Sequence, residues 1–178
     1  GERRIGDVLL LTEEVRNPLI QEEAITEAGA ALKGMGRHEL ALQQYRRGLE
    51  VNPRNLEFRR QEALLLNRLK RVDEAIVKLE SLLRDAPDDM ESISYLARIY
   101  KEIWWDHWTP IAEQGERMRV AYSASNWLVK SIETYLLGYR INLNHVYSGV
   151  NALTLVALLD HLSRTVGGDK ADADVEAV

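Results

Sequence analysis

The sequence predicts an all-α fold of antiparallel helix hairpins, about seven to eight helices in a right-handed superhelical array. Three observations predict it. The 178 residues are 46% hydrophobic and 29% charged, with only four prolines and one phenylalanine, a composition that favours helices over strands. Apolar residues recur at three- and four-residue spacing, as in Ile93, Leu96, Ala97 and Tyr100 on one helix face. Finally, the same pattern returns after 34 residues, since Pro53 and Pro87 each close a segment rich in helix formers.

The 34-residue step carries other positions with it. Gly29 recurs as Ala63 and Ala97, Leu32 as Leu66 and Tyr100, Ala41 as Ala75, and Tyr45 as Leu79. Small residues suit a close crossing of two helices, large apolar ones fill the layer between hairpins, and a proline stops the second helix. This is the tetratricopeptide period, and the pattern resembles that of tetratricopeptide repeats. The elements expected are a lead-in helix over 1–20, helices over 21–34 and 38–51 joined at Gly36, and helices over 55–69 and 72–85 joined at Lys70-Arg71. Asn55 and Asp73 are the expected starting caps. A third hairpin begins near Asp89 with a helix over 90–103. Its second helix resumes the register only at Ser131 and Tyr135, so about 22 residues are inserted, 104–125. A fourth first-type helix follows over 145–164, with Ala152 and Leu155 expected in the small and large positions. The array thus spans 21–165, as repeats 21–54, 55–88 and 89–143 and a half repeat 144–165. Residues 166–178 carry four acids against Lys170 and are expected to form a flexible acidic tail.

Within this array three stretches resemble the TRAFs-binding domain, the helical central regulatory region of apoptosis signal-regulating kinases and bacterial relatives. They are Arg60 to Arg68 (RQEALLLNR), Leu96 to Glu102 (LARIYKE), and Ser131 to Gly138 followed by Tyr147 to Leu155 (YSGVNALTL). Ala97 stands where that family usually has glycine. The resemblance implies a scaffold that orients neighbouring domains and engages signalling partners in the cytoplasm.

Several function classes are disfavoured. A net charge of −5 is opposed to a general nucleic-acid surface. Without cysteine there is no disulfide, thiolate nucleophile or cysteine-bound zinc. The longest apolar stretch, Val150 to Leu159, is too short to span a bilayer. No kinase signature, nucleophile elbow or Ser-His-acid set is present, His38, His107, His145 and His161 lack ligand spacing, and no cofactor is expected. The opening Gly-Glu-Arg-Arg has neither an initiator Met nor a signal-peptide pattern, so the chain reads as a non-catalytic segment of a longer protein.

A stacked array lines its concave face with the first helix of each pair. Stepping by 34 places Lys33, Arg60, Leu64, Asn67, Arg68, Arg98 and Lys101 there, a mildly basic groove suited to an acidic peptide or protein. The carboxylate-clamp positions hold Thr26 and Ala30, so that mode of tail recognition is not expected. Glu23, Glu57 and Glu91 recur at the same step and suit helix N-termini. Trp104, Trp105 and Trp108 cluster at the insertion, either as a binding hot spot or as a pin for the insertion. Open array ends would also allow self-association.

Overall fold

The computed structural model describes residues 5, 6, 12 and 17–176, the last ten of these as backbone. Most of the expected lead-in helix over 1–20 lies outside the described residues. Among the described residues the protein is entirely helical. The chain divides into two compact units, residues 1–87 and 88–178.

In the first unit, α1 (Pro18–Gly34) pairs with α2 (His38–Val51), and α3 (Leu56–Arg68) pairs with α4 (Val72–Asp85). Both hairpin turns have one geometry. Gly36 at φ 72° and Lys70 at φ 63° sit in the left-handed region. In each turn the next amide reaches back to the helix, Arg37 N–H to the Leu32 carbonyl at 2.8 Å and Arg71 N–H to the Leu66 carbonyl at 2.9 Å. Orphaned carbonyls at the helix end are thereby satisfied, at a conformational cost where the residue is lysine rather than glycine.

Asn55 caps α3, its side chain accepting the Phe58 N–H at 3.0 Å. Asp73, expected as a cap, instead lies inside the first turn of α4, where the cap position is Arg71 without a side-chain bond. There its charge complements the helix dipole. The core joins Ile25, Leu32, Ala41, Tyr45, Phe58, Ala63, Leu66, Ala75, Leu79 and Leu82. Glycines allow the closest approaches: Gly29 faces the Tyr45 ring and Gly48 the Phe58 ring. Glu62, with a buried carboxylate, is held by Arg46 of α2 at 2.9 Å and by Lys78 of α4 at 3.0 Å. One charge thus ties three helices together.

The second unit holds α5 (Met90–Trp108), α6 (Gln114–Ser123), α7 (Ser125–Ile141) and α8 (Val146–Glu176). Asp89 caps α5 through the Ser92 N–H at 3.1 Å. The helix runs five residues past the expected end at 103, because no breaker occurs before Pro110 and Trp104 extends the buried face. Residues 104–125 form the last turn of α5, a loop and α6. Glu113 caps α6 by accepting backbone N–H bonds from Gly115 and Glu116. Those two bonds hold its carboxyl below the usual carboxylate range.

Helix α7 then packs on α5 as the delayed second helix of the hairpin. The buried Ser131 hydroxyl donates to the Ala97 carbonyl at 2.8 Å. The expected break at 165 is not observed, since helical backbone continues through Gly167-Gly168 to Glu176. Glycine lowers helix stability by about 1 kcal/mol but keeps its N–H, so unlike proline it leaves the hydrogen-bond ladder intact.

Candidate functional site

Four of the five groove cations, Lys33, Arg60, Arg98 and Lys101, have partners inside the protein. In the first unit, Lys33 Nζ donates to Gln61 Oε1 at 2.8 Å. Arg60 is buried and donates to Glu57 Oε2 at 2.6 Å, and Gln61 Nε2 donates to Glu57 Oε1 at 2.8 Å. Leu64 and Asn67 are half-buried, and Arg68 is exposed at the end of α3. In the second unit, Arg98 donates to Glu102 at 2.7 Å, a bond that raises its guanidinium above the ordinary value. Lys101 Nζ donates to Asn151 Oδ1 at 3.0 Å and lies 5.7 Å from the Tyr135 ring centre. Arg60 therefore sits in the protein interior rather than open to a groove. Glu57 and Glu91 stand in the first turns of α3 and α5.

The three tryptophans are brought together but differ in role. Trp104 is sealed, and its indole N–H donates to the Ala121 carbonyl of α6 at 2.8 Å. Trp108 bridges to it at 5.2 Å, while Trp105 is half exposed and 4.7 Å from Trp108. Trp104 pins the insertion. Among the described residues no group of three or more His, Asp or Glu could hold a metal ion, and no helix is long and apolar enough to cross a membrane.

The register of α8 changes the picture of the fourth repeat. Two features of the α2–α3 junction recur 90 residues later at α7–α8. Gly48, against Phe58, returns as Gly138, against Ser148. Asn52 accepts the Arg54 N–H at 3.2 Å, and Asn142 accepts the Asn144 N–H at 3.0 Å. A bond from α1 to α3, Lys33 to Gln61, has its counterpart from α5 to α8, Lys101 to Asn151, the acceptors again 90 residues apart.

The same step carries Ala63 to Leu153 and Leu66 to Val156. Ala152 and Leu155, expected in those places, are one residue out of register and belong to the buried face instead. In closed hairpins the small position touches the second helix directly, as Gly29 meets Tyr45 and Ala97 meets Ser131. Ala63 and Ala97 are fully sealed, whereas Leu153 is 73% and Val156 44% exposed. Val146 and Val150 extend this stripe at helical spacing and are also exposed. With Leu136, Tyr139 and Leu143 the stripe lines an open groove of about 470 Å³ that contains no charged residue. Contiguous apolar exposure of this kind marks an interaction surface. Reading from α5 alone missed these residues. The recurrence of Asn52 as Asn142 was the sequence signal that could have found them.

Residues 37–156, more than half of the chain, match the family model described as Tetratricopeptide Repeats-Sensor. The chain belongs to the Tetratricopeptide Repeats-Sensor family. The family match runs from the first hairpin turn to Val156, and so includes the whole exposed stripe of α8.

Solved structures are similar in fold. A thermophilic TPR protein of Thermus thermophilus is 21% identical, with a TM-score of 0.60, covering 82% of this chain and 71% of that one. The first TPR of Spaghetti (RPAP3), bound to the HSP90 peptide SRMEEVD, is 14% identical, with a TM-score of 0.57, covering 78% and 95%. A MamA double mutant of RS-1 is 17% identical, with a TM-score of 0.55, covering 92% and 85%. No curated protein shows significant sequence similarity to the chain.

Proposed function

We propose that this chain is a non-catalytic protein-interaction scaffold that docks an amphipathic helix of a partner protein on the open face of α8. One observation carries this reading: Leu153 and Val156 stand in water where Ala63 and Leu66 are sealed in a hairpin closed by its second helix. The natural occupant of such a seat is a helix antiparallel to α8, presenting its apolar face at three- and four-residue spacing. A partner with small residues opposite Leu153 fits best, because this leucine occupies the position that holds Gly or Ala in the other hairpins.

Peptide binding by a protein of similar fold, the first TPR of Spaghetti, supports the general mode. The motifs shared with the TRAFs-binding domain support a regulatory role within a larger signalling protein of the cytoplasm. An acidic partner segment would have to displace the internal acceptors of Arg98 and Lys101, so the apolar face is the primary contact.

Placing a photo-crosslinking residue at Leu153, at Val156 or at the exposed Val77 of α4 tests this in the full-length protein within its own cell. Discrete protein adducts at the first two positions, and none at Val77, are expected. Equal yields at all three would refute a docking site on α8. Adducts of twice the protein's own mass would replace the partner by a second copy.

A further inference from the structure

The second unit contains a hollow that the docking face does not use. It lies between the end of α5, α6 and the far part of α8, and measures about 380 Å³. Trp104, Trp105, Trp108, Met118, Leu158 and Leu162 form its walls, with Arg117 and His161 also lining it. Its size is in the range that encloses small ligands. A cavity of about 150 Å³ holds a benzene ring, so this one has room for a bicyclic system.

The walls are fixed before any ligand arrives. The Trp104 N–H is bonded to the Ala121 carbonyl, and the Arg117 guanidinium to the Ile111 carbonyl at 2.8 Å from Nε. Two features remain unsatisfied. Trp105 keeps half its surface in water beside an apolar hollow. The Trp108 indole N–H is shut off from solvent and has no acceptor. A buried donor without a partner carries a cost comparable to a lost hydrogen bond.

We infer that this hollow is a binding site for a small, neutral, flat bicyclic aromatic molecule bearing a hydroxyl or carbonyl oxygen. Its ring stacks among the three indoles, covering Trp105. Trp108 lies at the last residue of α5, and its unpartnered indole N–H is the donor for the ligand oxygen. A cationic ligand is selected against, because the walls are largely apolar and the charged side chain among them is the Arg117 guanidinium.

The experiment is titration of the full chain by calorimetry, with thermal unfolding alongside, using 2-naphthol, indole and cyclohexanol as probes. Saturable one-to-one binding of 2-naphthol, weaker binding of indole and none of cyclohexanol are expected. Trp108→Phe should weaken 2-naphthol about fivefold and leave indole unchanged, since indole has no oxygen to accept the bond. Trp105→Ala, at a half-exposed position, should weaken both while the helical circular dichroism is kept. Leu153→Glu on the docking face should alter neither, which separates this site from the proposed partner seat. Absence of saturable 2-naphthol binding, or binding unchanged in both tryptophan variants, would overturn the assignment.

Discussion

Gly29→Ala is the most discriminating test of how the hairpins close. A Cβ built on Gly29 lies 2.7 Å from Cε2 and 2.8 Å from the hydroxyl of Tyr45. Ordinary carbon contacts begin near 3.5 Å, so the ring must retreat by roughly 1 Å. It has little room, being buried with the Phe58 ring centre 5.8 Å away. Overpacking of this kind costs about 1–3 kcal/mol, and alanine returns about 1 kcal/mol over glycine in a helix. The single variant should therefore lose about 1 kcal/mol.

The second hairpin combines Ala63 with Leu79 at the equivalent places. In a Tyr45→Leu background the clash is gone, and Gly29→Ala should become stabilising by about 1 kcal/mol, a coupling of about 2 kcal/mol. Urea unfolding followed by circular dichroism measures the four corners of the cycle. All four tryptophans (Trp104, Trp105, Trp108 and Trp127) lie in the second unit, so their fluorescence serves as an internal control. If Gly29→Ala raises stability equally in both backgrounds, the Tyr45 ring does not fill that crossing.

Lys70→Gly should gain up to about 1 kcal/mol by relieving a left-handed lysine, whereas Gly36→Ala at the matching turn should lose about 1 kcal/mol; equal shifts in the urea midpoint for the two would refute the shared turn geometry. Glu62→Gln removes the charge that Arg46 and Lys78 share, and because both cations can return to water the loss should be about 1–2 kcal/mol. Thermal unfolding unchanged at low salt would count against that three-helix tie. Burial, with Glu57 and Glu27 adding, pushes the Tyr45 phenol up from 10.0 to about 12. Since the folded value lies above the unfolded one, its contribution is complete below pH 10 and lost as pH rises towards 12. Tyr45→Phe should lessen this alkaline loss, and identical urea midpoints for both proteins across that range would contradict it.

Much of the architecture was legible from local chemistry. The 34-residue step places α2 to α4 within a residue and α1 within three, because each turn, cap and close crossing needs a particular residue type at a particular place. Gly36 and Asn55 carry that information in their own backbone preferences. So does Ser131, whose small side chain predicts a close approach to α5. The same step located the interruption after α5 and the resumption at α7.

Only tertiary structure decided the rest. Between Val146 and Leu159 helix α8 is apolar on both faces, so its own periodicity could not say whether Ala152 or Leu153 held the crossing position, and the recurrence of Asn52 as Asn142 was the one sequence hint. The pairing of Lys101 with Asn151 settled it, through a contact fifty residues apart in sequence. Trp104 and Trp105 are neighbours of one type, yet α6 covers the first and leaves the second half exposed. Lys33, Arg60, Arg98 and Lys101, chosen by spacing for a groove, found acceptors nearby, since a charge takes the partner that folding brings within reach. Helical periods are properties of a segment, whereas exposure depends on which other segment arrives to cover it.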